Sequence, residues 1–332
     1  MLTARENFEE TIKVGGKPER FVNQYEYLGI VMGSPFGKRN PNPKPGEENV
    51  VNAWGVTKSW PKGTPGAFPV HTPDKIVIKD IDEWQKYVKV PQVVYDAEEW
   101  EPFIAAAEKI DRKEQLMTGY FAPGVFEQCH YLMEIQNCLM AFYESPDELK
   151  ELIDCITQFE LDYAAEFCKY VKPEAMFHHD DWGSQISTFM SPDMFREFIK
   201  PAYMKIYGYY KEHGVKYIIH HSDSYAATLV PDMIDMGIDV WQGVMNTNNI
   251  PELIEKYGGQ ISFMGGIDSA TVDFEGVTRE KIRQEVRKTC SACGTKYFIP
   301  CASQGLPMST YPGVYDMICE EIDAYSKEVF AK

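Results

Sequence analysis

The sequence predicts an α/β fold: a (β/α)8, TIM-type barrel carrying an irregular, Pro- and Gly-rich N-terminal elaboration. Three observations predict it. From about residue 96 onward, short apolar runs alternate with helical segments at the spacing of right-handed βαβ units in a parallel sheet. The 332 residues suffice for one large barrel. The early strands are followed by neither a Gly-x-Gly-x-x-Gly fingerprint nor a Walker-type phosphate loop, which places the barrel ahead of a dinucleotide-binding sheet.

Residues 1–95 are read as the elaboration, covering one end of the barrel, and 96–332 as its main part, within one structural domain overall. In the first segment Pro and Gly concentrate at Gly33-Ser34-Pro35, from Asn40 to Gly46 and from Pro61 to Gly66. Pieces between them, such as Val50 to Val56, are strand-like but show no independent core. Asp96 to Lys113 then reads as an amphipathic helix and Gln115 to Tyr120 as a strand, closed by the turn Ala122-Pro123-Gly124. Ser145-Pro146-Asp147-Glu148 is a helix start, with Ser as cap, Pro at the first position and Glu completing a capping box. Ser191-Pro192 opens another helix, which Pro201 should kink or divide and Gly214 should stop. Asn249 to Tyr257, Thr278 to Cys290 and Tyr311 to Phe330 are the remaining helices. The intervening strands are expected at about 174–179, 216–221, 239–242, 261–265 and 296–300.

Composition narrows the function. Hydrophobic residues make up 44% of the chain, enough for a substantial core. The formal net charge of -17 argues against nucleic acid or anionic membrane as the main partner and suits a partner with a basic docking patch. No apolar run approaches the ~18 residues of a membrane span. The charged start, Met1 to Lys13, has no signal-peptide pattern. Eight scattered Cys are then expected to be free thiols in a reducing cytoplasm.

In a barrel, active sites are built at the carboxyl ends of strands. Those positions hold His178-His179-Asp180-Asp181-Trp182, His221-Ser222-Asp223, Gln242, Asp268 and Cys301. In the first cluster the polar residues bind a metal or exchange protons, or else one His-Asp pair is a buried support and the others cap the loop; strand alternation sends them in different directions. His221-x-Asp223 is either a helix-capping turn or half of a metal site. Cys301 alone reads as a small hydrophobe. Placed together at one barrel face, His221, Asp223 and Cys301 form a candidate zinc set. Glu127 and His130 share a helix face beyond Gly119 to Val125. Cys290-Ser291-Ala292-Cys293 is discounted as a site, because it lies at the opposite, stability face.

The chain resembles the uroporphyrinogen decarboxylase superfamily. The resemblance is carried by Gly124-Val125-Phe126-Glu127, by Ser191 to Phe198, by His220-His221-Ser222-Asp223-Ser224, by Phe263 to Asp268 and by Ser309 to Val314. It implies a (β/α)8 barrel. Decarboxylases of this superfamily carry an arginine-rich N-terminal motif for a polycarboxylate substrate, which this sequence lacks. The other major branch, the corrinoid-dependent methyltransferases, implies zinc held by His-x-Cys and a distant Cys; His221, Asp223 and Cys301 fall at matching positions, with Asp223 in place of the first Cys. The resemblance extends to the methyltransferase components of anaerobic O-demethylases. It implies methyl transfer from a small methoxylated, aromatic substrate to the Co(I) corrinoid (a cobalamin) of a partner protein. Asp181, Glu127 and Gln242 are then candidates for catalysis, and Tyr120, Phe121, Trp182, Tyr225 and Met264 for the substrate pocket. The alternatives are methyl transfer between a corrinoid and a thiol, a porphyrinogen decarboxylase, and a non-catalytic barrel binding a corrinoid or tetrapyrrole. A homodimer is left open.

Overall fold

A computed structural model describes residues 1–64, 66–304 and 307–331, and the side chain of every one of them except Met308. Among these residues ten strands follow in chain order: β1 (Leu28–Val31), β2 (Val50–Val51), β3 (Thr57–Ser59), β4 (Phe68–Pro69), β5 (Leu116–Phe121), β6 (Ala175–His179), β7 (Tyr217–His221), β8 (Val240–Val244), β9 (Ser262–Ile267) and β10 (Phe298–Ala302). Seven of them form one sheet in the order β1-β5-β6-β7-β8-β9-β10, every pair parallel. β2, β3 and β4 make a separate antiparallel sheet. Where eight strands were expected, seven parallel strands form the sheet among the described residues.

Alternation of side chains along these strands divides them into two sets. Leu28, Leu116, Ala175, Phe177, Ile219, Val240, Met264, Ile299 and Cys301, drawn from all seven strands, belong to one buried cluster with Phe8 and Tyr27. One cluster touching every strand means that the sheet curls around its own interior. The alternate residues, among them Met117, Met176, Ile218, Trp241, Phe263 and Phe298, belong to a second, larger cluster shared with the surrounding helices. Between β10 and β1 the chain at Gln24 bridges the gap: its backbone N–H donates to the carbonyl of Pro300 at 3.3 Å, and its side-chain Oε1 accepts from Ala302 N at 3.3 Å.

The helices follow their sequence signals with informative exceptions. Pro146 opens a 25-residue helix, Pro146–Tyr170, but the expected capping box does not form: Ser145 makes no side-chain capping bond, and its hydroxyl donates to Asp82 Oδ1 at 2.7 Å. Pro201 does divide its segment: a π-helical turn, Phe195–Ile199, precedes the helix Lys200–Glu212, so the missing proline N–H falls in the first turn. β1 arises within residues 1–95 and pairs with β5, so that segment supplies part of the main sheet as well as the small one. Among the described residues no helix is long and apolar enough to cross a membrane.

Candidate functional site

The strand parity that fills the interior also builds the site. His179 follows Ala175 and Phe177 on β6, His221 follows Ile219 on β7, and Gln242 follows Val240 on β8. The register sets His179 opposite His221 and His221 opposite Gln242, so the three form a row across neighbouring strand ends. The His179 and His221 rings stack with centroids 4.3 Å apart. Asp181, just beyond β6, completes a group: ligand atoms of His179, Asp181 and His221 all lie within 4.8 Å of one another. His221 Nε2 lies 4.0 Å from Asp181 Oδ1.

Each imidazole has one nitrogen engaged. His179 Nδ1 lies 2.7 Å from Glu127 Oε2, and Tyr131 Oη donates to Glu127 Oε1 at 3.2 Å. His221 Nδ1 is hydrogen-bonded to Gln242 Oε1, and Gln242 Nε2 donates to Tyr25 Oη at 2.9 Å. A carbonyl oxygen only accepts, so His221 carries its proton on Nδ1 and keeps a lone pair on Nε2. Asp181 Oδ1 accepts from the backbone N–H of Asp223 at 3.0 Å.

Charge is concentrated here. Burial opposes a charge on His179, but the Glu127 carboxylate outweighs it and holds the imidazole well above its usual range. Burial likewise raises Glu127, and the His179 charge reverses this to a net lowering. Burial, then repulsion by His179, lowers His221 to about 3. Burial, then Asp181, pushes Asp223 up to about 8, while burial pushes Asp181 up to about 6 despite His179. Neighbouring carboxylates of this kind shed their protons when a cation joins them.

A buried frame supports the row. Asp180 accepts from Glu127 N at 2.8 Å and Phe126 N at 3.0 Å, so it caps the helix Val125–Met133 from outside. It also accepts from Trp182 Nε1 at 2.9 Å and Tyr203 Oη at 2.5 Å. Gly124 opens that helix where a Cβ would meet Tyr203 Oη and stand 2.6 Å from Asp180 Cβ. At Gly243, with φ of +87°, a bulge shifts the β8–β9 register just beyond Gln242.

The remaining residues named from sequence fall as follows. Cys301 is fully buried in the interior cluster, its Sγ 3.8 Å from Gln24 Oε1 and hydrogen-bonded to Tyr25 and Gln242; burial pushes its thiol up to about 12. It thus adjoins the Gln242 that holds His221, outside the three-residue group. Tyr120 faces the interior and stacks on Phe177, which stacks on His221. Met264 is fully buried and accepts from Tyr27 Oη at 3.4 Å. Phe121 points to the helices, against Tyr163 and His178. Trp182 is fully buried, 3.9 Å from the His220 ring. Tyr225 is partly buried, its backbone N–H on Ser184 O. From sequence His179 belongs to a cluster read as binding a metal, exchanging protons or supporting the loop, with no member singled out as the ligand; its parity with Phe177 was the signal that picks it out. Tyr25 and Tyr131 carry no local motif.

The family model for uroporphyrinogen decarboxylase matches residues 50–325. The chain belongs to the uroporphyrinogen decarboxylase family. Among solved structures, a methyltransferase from Methanosarcina mazei is similar, at TM-score 0.67 and 16% identity, over 98% of this chain and 99% of that one. At that identity the likeness is one of fold. A D-psicose 3-epimerase, at TM-score 0.39, 11% identity and 72% and 86% coverage, and an endo-beta-1,4-xylanase from Gloeophyllum trabeum, at TM-score 0.41, 10% identity and 71% and 83% coverage, match more loosely. No curated protein sequence matches this one.

Proposed function

We propose that the protein is a zinc-dependent methyltransferase that moves a methyl group from a methoxylated, aromatic substrate to the Co(I) corrinoid of a partner protein. The carrying observation is the pair His179 and His221 beside Asp181, each imidazole with its Nδ1 already engaged by an acceptor. Imidazoles fixed in this way by a carboxylate or carbonyl are the usual preparation for metal binding. Two imidazoles and a carboxylate fit zinc and leave a position for substrate. Asp223 and Cys301 are the further candidates for that shell.

When bound, zinc would polarise the ether oxygen and stabilise the departing phenolate. The chain's own residues orient the donors: Glu127 holds His179, Gln242 and Tyr25 hold His221, and the Asp223 N–H holds Asp181. Tyr120 borders the same interior and offers an aromatic face for the substrate ring. The fold shared with a protein described as a methyltransferase is compatible with this reading.

The test is incubation with reduced corrinoid protein and a panel of methoxyarenes, methanol, methylamines and thiols, followed by corrinoid absorbance. Methylation from methoxyarenes by zinc-containing protein is expected. Zinc-free protein with full activity, retained in His221→Ala and Cys301→Ala, would overturn the proposal. Transfer to a thiol alone would favour the thiol variant, and decarboxylation of a porphyrinogen the lyase.

A further inference from the structure

Lys58 is a cation that forms no ion pair among the described residues. It lies on β3, paired with Val50 and Pro69 in the small antiparallel sheet. That part of the chain docks on the helix Val125–Met133: Val77 and Ile78 donate backbone N–H groups to Leu132 O, and His71 Nε2 lies 3.1 Å from Tyr131 O. The docking brings Lys58 Nζ over the Tyr131 ring, 5.4 Å from its centroid. Tyr131 in turn donates to Glu127, the residue that holds His179.

A lysine normally runs its stem along the surface and leaves its ammonium in water. Lys58 is instead half-buried. Among the described residues it makes no side-chain hydrogen bond and no ion pair; its one close partner is the Tyr131 ring. Burial lowers its pKa, and the more distant charge of Glu127 offsets that only in part. A desolvated ammonium over an aromatic face, at the edge of a site whose Glu127 carboxylate is already engaged by His179 and Tyr131, is equipped to receive an anion from outside.

We propose that Lys58 is a specificity residue, whose ammonium binds a carboxylate carried by the methoxylated substrate. The inference rests on the methyl-transfer reading for the substrate's identity, but its test by direct binding does not. It also gives the small N-terminal sheet a role: the sheet carries the residue that selects anionic over neutral methoxyarenes.

Calorimetric titration of the full-length protein with para-methoxybenzoate and with its neutral counterpart, para-methoxybenzyl alcohol, tests it in wild type, Lys58→Met and Lys58→Arg. Loss of one charge-assisted contact should weaken para-methoxybenzoate binding to Lys58→Met by roughly 10- to 100-fold, with the alcohol changed by about twofold at most. Lys58→Arg should keep the preference for the acid. Equal weakening of both ligands would mean that Lys58 only balances Glu127, and would overturn the proposal. So would failure of the wild type to bind the acid, or an unaffected acid in Lys58→Met. Methyl transfer from neutral donors with no dependence on Lys58 removes this inference and leaves the methyltransferase standing. Lys58-dependent binding of the acid without transfer to any corrinoid does the reverse.

Discussion

Glu127 Oε2 lies 2.7 Å from His179 Nδ1, which joins the helix after β5 to the end of β6. The contact links two successive βα units at the point where the candidate ligands meet. It fixes the imidazole's orientation and raises its basicity, while Tyr131 occupies the second carboxylate oxygen.

Glu127→Gln keeps an acceptor at that position and removes the charge. Zinc affinity should fall by roughly 10- to 100-fold, the range for losing such a partner of a metal-bound histidine. Competition with a chromophoric chelator measures it, with circular dichroism to confirm the fold. Unchanged affinity would place His179 outside the ligand set.

Asp180 makes a different prediction, because nothing about it points to substrate. Its two oxygens accept from two backbone N–H groups, an indole and a phenol, all buried. Burial and Glu127 raise its pKa to about 7, against the hydrogen bonds from Tyr203, the Glu127 N–H and Trp182. Asp180→Asn turns an NH2 group toward at least one donor, leaving both unsatisfied. A loss of about 3 kcal/mol is expected in urea unfolding. A near-neutral effect would show that the donors find other partners.

The sequence was most legible where apolar runs are bounded by turns. The strand expected at 216–221 is Tyr217–His221, and that at 296–300 is Phe298–Ala302. β1 was not legible, because four residues in a Pro- and Gly-rich stretch take strand form only by pairing with β5. The helix expected from Tyr311 starts at Val314, since Pro312 and Gly313, the latter at φ of +81°, precede it. In the site, period-two alternation was enough to carry His221, Gln242 and Cys301 inward, and His179 with them. Past a strand's end that rule lapses: Trp182, read as a pocket wall from its residue type, is stacked on His220 and hydrogen-bonded to Asp180. Lys58 was invisible because its surroundings come from a helix far away in sequence.

Gly124 has no room for a side chain. An added Cβ would press on Tyr203 Oη and on Asp180 Cβ, both part of the buried frame. Gly124→Ala should cost about 1–3 kcal/mol of stability through overpacking. Removing the hydroxyl in Tyr203→Phe opens part of that space, so the two changes should be non-additive, with a smaller cost of Gly124→Ala in the Tyr203→Phe background. Strict additivity in the four denaturation curves would mean that Asp180, and not Tyr203, sets the limit.

Glu174, just before β6, gives a pH-dependent prediction away from the site. Its carboxylate is 3.0 Å from Arg5 and 3.2 Å from Arg112, and so ties the N-terminal helix Ala4–Ile12 to the sheet. Burial alone would raise its pKa; the hydrogen bond and charge of Arg5 outweigh burial, and the net shift is downward from 4.5. A depressed folded-state value means a stabilising contribution that is complete above pH 4.5 and is lost as pH falls toward the folded pKa. Glu174→Gln should therefore lower stability by about 1 kcal/mol near neutral pH, a modest figure because Arg112 is well exposed. The gap between variant and wild type should close as denaturation is repeated at successively lower pH below 4.5. A gap that persists there would assign the loss to packing and hydrogen-bond geometry, since the charge difference between the two side chains has by then disappeared.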